Sequence, residues 1–328
     1  MKKFLIRLTA IVLTVFSAFS FFGCKKEDAN QLAIFLPDGA PALAFAQLMH
    51  EKNDLGKNAT YTVVPSSTIQ QYVANEKASV LLLPVNLATK LCGTGEKYKM
   101  LSVNTHGNLL LVGANPIDEL SSLQGKTIAV VNLKNVPGLT LKAILKKANI
   151  NYTENENDFN SSNVLLKNVD NGSAGAGLIK ANQADYALLP QPAVSSVTSS
   201  PSLSLSVALN LQQVFDDKNN GYPQAVLVAK NHLANDKIFV DKLLDALTNS
   251  ASWVLSNAQS AVSAISENML DGTATTLVAS ALTTSAIEGC NIFVTPSQQA
   301  KSQVIDYMTR INEVSDSSFG LPSDNFFI

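Results

Sequence analysis

One pattern of residues occurs twice in this chain and limits what it can fold into. Ala78-Ser79-Val80 leads into Leu81-Leu82-Leu83-Pro84, and Ala184-Asp185-Tyr186 leads into Ala187-Leu188-Leu189-Pro190. Each is a short apolar run of strand length closed by proline, as expected of a strand buried on both faces. Ahead of each lies another apolar run, a Pro/Gly loop and a helical pattern. In the first half, Gln31 to Leu36 precedes Pro37-Asp38-Gly39 and an apolar helix pattern from Pro41 to His50; Thr60 to Val64 and Ser67 to Asn75 then read as strand and helix. In the second half, Lys126 to Val131 precedes Asn132 to Asn135, Pro137-Gly138 and a helix with Leu141, Ile144, Leu145 and Ala148 on one face. This alternation predicts an α/β protein with mostly parallel strands, built as two lobes of one plan.

The connections between the lobes are also legible. Lys99 to Ala114 holds two apolar runs around Thr105-His106-Gly107-Asn108, long enough to leave one lobe and reach the other. Gly221 to Lys230 is a second such strand and brings the chain back. Lobe I is therefore expected at residues 31–112 and 222–328, and lobe II at residues 113–221. The returning part reads as largely helical, with Val240, Leu243, Leu244, Leu247, Ala251, Val254 and Leu255 on the 3.6-residue period.

The mean hydropathy of +0.13 is high for a soluble protein, and much of the excess sits at the N-terminus. Lys2, Lys3 and Arg7 are followed by an almost unbroken apolar run, Phe4 to Phe22, ending at Gly23-Cys24. This reads as a secretory signal over residues 1–23, followed by a polar tether over residues 24–30. Gly23-Cys24 resembles the lipobox of bacterial lipoproteins, with Phe21 where leucine is usual, and makes Cys24 the candidate lipidation site. An uncleaved anchoring helix and a plain secretory signal are the alternatives. Loss of residues 1–23 takes the net charge from -2 to about -5 by counting. No second apolar run of about 18 residues follows, so a membrane-embedded transporter is not expected.

That charge also excludes a nucleic-acid binder driven by bulk positive charge. Three cysteines in 328 residues exclude a disulfide-stapled fold; Cys92 and Cys290 either pair or remain free thiols. His50, His106 and His232 have no metal-ligand spacing, and His50 and His232 read as solvated residues near element ends. There is no Cys-x-x-Cys, no His-Glu-x-x-His, no Gly-x-Ser-x-Gly and no phosphate-binding Gly-x-x-x-x-Gly-Lys loop. Neither a catalytic constellation nor a metal or cofactor is expected. Gly172 to Gly177 reads as a flexible loop opening a helix.

Ligands of open α/β sheets bind beyond the carboxyl ends of the strands, where loops and helix N-termini expose unpaired N–H groups. Asp38-Gly39-Ala40, Ser66-Ser67, Val85-Asn86, Asn132 with Pro137-Gly138, and Gln191-Pro192 would open onto one such cleft. Taken singly, each of these loops is ordinary turn and cap chemistry.

Leu36-Pro37-Asp38-Gly39-Ala40-Pro41-Ala42, Leu83-Pro84-Val85-Asn86, Gly125 to Val130, Val136-Pro137-Gly138, Ala184 through Ala193 and Gly221 to Val228 occur in an informative order. Together they resemble the solute-binding proteins of ATP-binding-cassette importers, in the branch of nitrate, sulfonate, taurine and thiamine-pyrimidine binders. The resemblance implies a two-lobed, periplasmic-binding-protein-like (type II) clamp with two crossover strands. It implies a monomer, lipid-anchored on the extracytoplasmic face of the cell membrane, that closes on a small-molecule solute and delivers it to a permease and its ATPase. His106, at a candidate lobe junction, and Tyr222, in the returning motif, complete the candidate set. Many relatives carry an acidic residue between the two prolines where this chain has Gln191, which changes the charge preference of that loop.

Lys134 is the only basic residue in or beside these loops, so an anion would rely on helix N-termini and hydroxyls. Asp38 either accepts a hydrogen bond from the solute or caps the following helix. The expected solute is small and polar, heteroaromatic or sulfonated. The alternatives are a tethered sensor that signals through the clamp, or a pyrimidine-synthase-like enzyme on the same fold, for which His106 is the candidate histidine.

Overall fold

A computed structural model describes residues 31–215 and 221–328. The expected signal, the tether and the Cys24 lipidation site lie outside the described residues. The chain first lays down β1 (Leu32–Pro37), β2 (Ala59–Val64), β3 (Val80–Pro84) and β4 (Tyr98–His106). It then forms β5 (Leu109–Gly113), β6 (Thr127–Val131), β7 (Asn151–Thr153), β8 (Asn163–Val169), β9 (Tyr186–Pro190) and β10 (Ser206–Asn210). It closes with β11 (Pro223–Lys230) and β12 (Ile292–Pro296). Two six-stranded sheets result, ordered β12-β4-β11-β3-β1-β2 and β10-β5-β9-β6-β8-β7.

The sheets are more mixed than expected. β1, β2 and β3 are parallel neighbours, as are β6, β7, β8 and β9, whereas β11 runs antiparallel to both β3 and β4, and β5 antiparallel to β9 and β10. Leu81 to Leu83 and Ile128 to Val130 are wholly buried because layers cover both faces of their strands, which is why they read as unbroken apolar runs. The chain leaves the first sheet at Gly107-Asn108, earlier than the expected boundary after residue 112. The second apolar run is already a strand of the other sheet, with Leu109 opposite Pro190 and Val112 opposite Ala187.

Two helical expectations change. Pro41 to His50 forms two short helices, Ala40–Leu43 and Ala46–His50, separated at Ala44-Phe45. The glycine-rich stretch is not a loop but the first turns of the helix Gly172–Lys180. Asn171 Oδ1 caps it by accepting from Ala174 N at 2.9 Å, and Gly175 lets it lie close on Ala187.

Leu32–Ile328 forms one compact unit. A continuous apolar cluster runs from Leu83 and Val103 of the first sheet to Leu111, Ile128 and Leu188 of the second. Phe215, Tyr222 and Tyr307 belong to it, with Tyr222 and Tyr307 stacked at 5.3 Å and Phe215 within 5.1 and 5.4 Å of them. Among the described residues no helix is long and apolar enough to cross a membrane.

Candidate solute site at the crossing between the sheets

Strand direction decides which loops can meet. β4 runs antiparallel to β11, and β11 antiparallel to β3, so β4 ends at the same edge of its sheet as β3. In the second sheet β5 begins where β9 ends. The crossing at Gly107-Asn108 therefore joins the carboxyl-terminal edges of both parallel sets, the edges at which α/β sheets bind ligands.

Several expected site residues come together there. Asn86, in the first turn of the helix Val85–Cys92, is fully buried and its Nδ2 donates to Oδ1 of Asn135 at 3.3 Å, reaching from one lobe to the other. Asn108 is equally buried. Its N donates to Gln224 Oε1 at 3.2 Å, its Nδ2 to the Gln191 carbonyl at 3.2 Å, and its carbonyl accepts from Gln191 N at 2.9 Å. Gln191, before the cis peptide bond to the buried Pro192, turns its side-chain oxygen onto Ser195, accepting from N at 3.3 Å and Oγ at 3.0 Å.

His106 ends β4, only 2% exposed, and stacks on Phe293 with ring centroids 3.6 Å apart. Its Nε2 lies 3.3 Å from Thr295 Oγ1. Burial pushes its pKa down to about 4, against a smaller opposing contribution from a hydrogen bond to the Phe293 backbone, so the ring is neutral at pH 7. Tyr222 is 1% exposed among the aromatic rings that join the lobes, and burial holds its hydroxyl protonated well above the usual tyrosine range. A Cβ at Gly107 would meet its ring at 2.6 Å, so the chain crosses at a glycine because the tyrosine occupies that space.

The other expected residues are used locally. Asp38 does not cap the helix that follows it. Its Oδ1 accepts from Thr275 Oγ1 at 2.6 Å, and its Oδ2 from Thr276 N at 2.7 Å and Oγ1 at 2.6 Å. Gly39 takes the helix N-cap position at φ 100°, a left-handed conformation that glycine adopts without strain, and Ala40 is buried behind it. Ser66 donates to the Asp38 carbonyl at 3.3 Å, while Ser67 is exposed. Val85 is core. Asn132 is an exposed left-handed turn residue whose carbonyl accepts from Asn135 N at 2.9 Å. Pro137 sits at the start of the helix Val136–Lys147, and Gly138 packs against the Leu133 backbone so closely that a Cβ would fall 1.9 Å from its oxygen. Lys134 is exposed.

Asn108, Asn135, Gln224 and Phe293 were not singled out by sequence. Asn108, Asn135 and Gln224 stood inside segments that the sequence marks, but amides carry no spacing signature. Cys92 and Cys290 are free, buried thiols, and burial pushes both up to about 12. Among the described residues no group of three or more His, Cys, Asp or Glu is placed to hold a metal ion. A cavity of about 540 Å³ is lined by Ala143, Ile144, Lys146, Phe215, Arg310 and Glu313 among others, and by none of the expected site residues. Of its charges, Lys146 is paired with Glu313 at 3.0 Å and Arg310 with Asp306 at 2.8 Å.

Solved structures share this architecture. A Parabacteroides distasonis protein described as an ABC transporter superposes with a TM-score of 0.71 at 20% identity, covering 91% of this chain and 99% of its own. The periplasmic aliphatic sulphonate binding protein SsuA from Escherichia coli gives 0.64 at 11% identity, over 91% and 92%. The ligand-binding component of an ABC-type import system from Staphylococcus aureus gives 0.58 at 9% identity, over 91% and 96%. No curated protein sequence matches the chain. The NMT1/THI5-like family model matches residues 95–261, just over half of the chain and the whole stretch from the last turn before β4 through the second lobe and the return strand, so the chain belongs to the NMT1/THI5-like family.

Proposed function

We propose that this protein is an extracytoplasmic solute-binding lipoprotein of an ABC importer, which captures a small polar solute between its lobes and delivers it to a membrane permease without chemical change. The observation that carries this reading is the set of buried amides at the crossing. Asn86 and Asn108 sit at the edges where two similar α/β lobes meet, and each bridges to a group of the other lobe or its connection. The similar proteins from Parabacteroides distasonis, Escherichia coli and Staphylococcus aureus are described as an ABC transporter, a sulphonate binding protein and an importer component, which supports the class and not the solute. A monomer anchored through Cys24, with the permease and its ATPase as partners, completes the proposal, and no nucleic-acid role belongs to it. The state of His106 favours capture over catalysis, because a ring stacked, buried and held neutral is a poor proton carrier at pH 7.

Thermal unfolding of the full-length protein, stripped of co-purified solute, tests this against sulfonates, nitrate, pyrimidines, sugars and amino acids. A solute at 100 times its dissociation constant should add about 2.7 kcal/mol of stability. A transition unmoved by every compound would count against the binding-protein reading.

A further inference from the structure

The polar atoms left over at the crossing restrict what kind of solute it accepts. Asn108 Nδ2 donates to a backbone carbonyl, which can only accept, so the orientation of this amide is settled and its Oδ1 is an acceptor. That oxygen, and Oδ1 of Asn86, are buried with no hydrogen-bond partner among the described residues. Asn86 spends its Nδ2 on Asn135 Oδ1, which leaves its own Oδ1 as the buried, unpaired acceptor of the pair. Two buried carbonyl oxygens call for donors, whereas a sulfonate, nitrate or phosphate presents only acceptors. Of the other buried unpaired atoms near the crossing, the hydroxyls of Thr105 and Tyr222 serve either role, and Asn104 Nδ2, further back on β4, is a donor.

Charge points the same way. Bidentate recognition of oxyanions is the province of arginine, and the chain has two, Arg7 and Arg310. Arg310 is committed elsewhere, to Asp306 and to the face of Phe215 at 4.9 Å. Among the described residues of the loops at this edge, Asp38 and Asp170 stand against Lys134. We infer that the crossing binds an uncharged solute presenting N–H or O–H donors to Asn86 and Asn108, and discriminates against oxyanions. This rests on the importer reading above and narrows its substrate class.

The test uses neutral and anionic twins of similar shape: nicotinamide against nicotinate, glucose against gluconate, uridine against uridine monophosphate, with taurine and ethanesulfonate added as sulfonates. Thermal shift and titration calorimetry are read on the full-length protein. A neutral member should bind, its anionic twin at least tenfold more weakly, and Asn86→Leu should weaken the neutral member at least tenfold. Circular dichroism would establish that the variant is folded, and Asn86→Asp, which keeps an acceptor, should retain binding within tenfold. An anion that binds as tightly as its neutral twin overturns this inference and leaves the importer reading standing. A panel in which neither half binds overturns both.

Discussion

The hydroxyls of Thr140 and Tyr307 lie 2.7 Å apart, fully buried, and tie the helix Val136–Lys147 of the second lobe to the helix Ser297–Asn312 of the first. Thr140 Oγ1 also donates to the Val136 carbonyl at 2.6 Å, so its one proton is committed and Tyr307 must be the donor between them. Thr140→Val strands the tyrosine donor in the core, and should cost about 1 to 3 kcal/mol in urea unfolding. Tyr307→Phe removes the donor itself, leaves Thr140 bonded to Val136, and should cost about 1 kcal/mol or less beyond any packing change.

Acid should weaken the fold through His106. Its pKa is about 4 in the folded chain and about 6.5 when unfolded, because burial disfavours the charged ring. Between those values the unfolded state binds more protons, so stability falls as the pH is lowered through that window, by up to about 3 kcal/mol. The contribution is intact above pH of about 6.5. His106→Gln should flatten this part of a stability profile measured by urea unfolding between neutral pH and about pH 4, apart from an offset caused by the lost stacking on Phe293.

Asp38 and Asn86 should part company when mutated. The Asp38 carboxylate is occupied by three donors from Thr275 and Thr276, so Asp38→Ala frees that segment and should cost about 2 kcal/mol of stability. Asn86→Ala removes a group with an unpaired oxygen at the crossing and should reduce solute affinity more than Asp38→Ala does. Calorimetric titration beside denaturant unfolding separates the two effects; equal loss of affinity would place Asp38 at the solute.

Glycine substitutions should likewise have opposite outcomes. At Gly107 an added methyl group meets the Tyr222 ring at 2.6 Å, so Gly107→Ala should destabilise by about 1 to 3 kcal/mol. At Gly177, on an exposed helix face with nothing within 4 Å, alanine should stabilise by about 0.5 to 1 kcal/mol. Melting temperatures of the two variants check both signs.

The parts of the fold legible in sequence were those written by local chemistry. The Leu-Leu-Pro strands announced themselves because both faces are buried, and Pro137 marked a helix start because a missing N–H costs nothing there. The crossing itself was visible as two apolar runs, but its position was not, since Leu109 to Val112 belong to the second sheet through pairing with β9 and β10, about 80 to 100 residues later. The candidate site was read less well for the same reason. Asp38 looked like a cap or a ligand group until Thr275 and Thr276, more than 230 residues away, claimed its carboxylate. Asn108 stood only as one residue of the segment between two apolar runs, and its role depends on Gln191 and Gln224, which only the fold brings beside it.

Capture without chemistry is the central claim, and the solute itself reports on it most directly. Solute released from the natively purified full-length protein by denaturation is identified by mass spectrometry, then returned to stripped protein in a binding titration followed by prolonged incubation. One solute bound per chain and recovered unaltered is the expected result. A solute converted to product over repeated turnovers, or failure of any released compound to rebind, would contradict it.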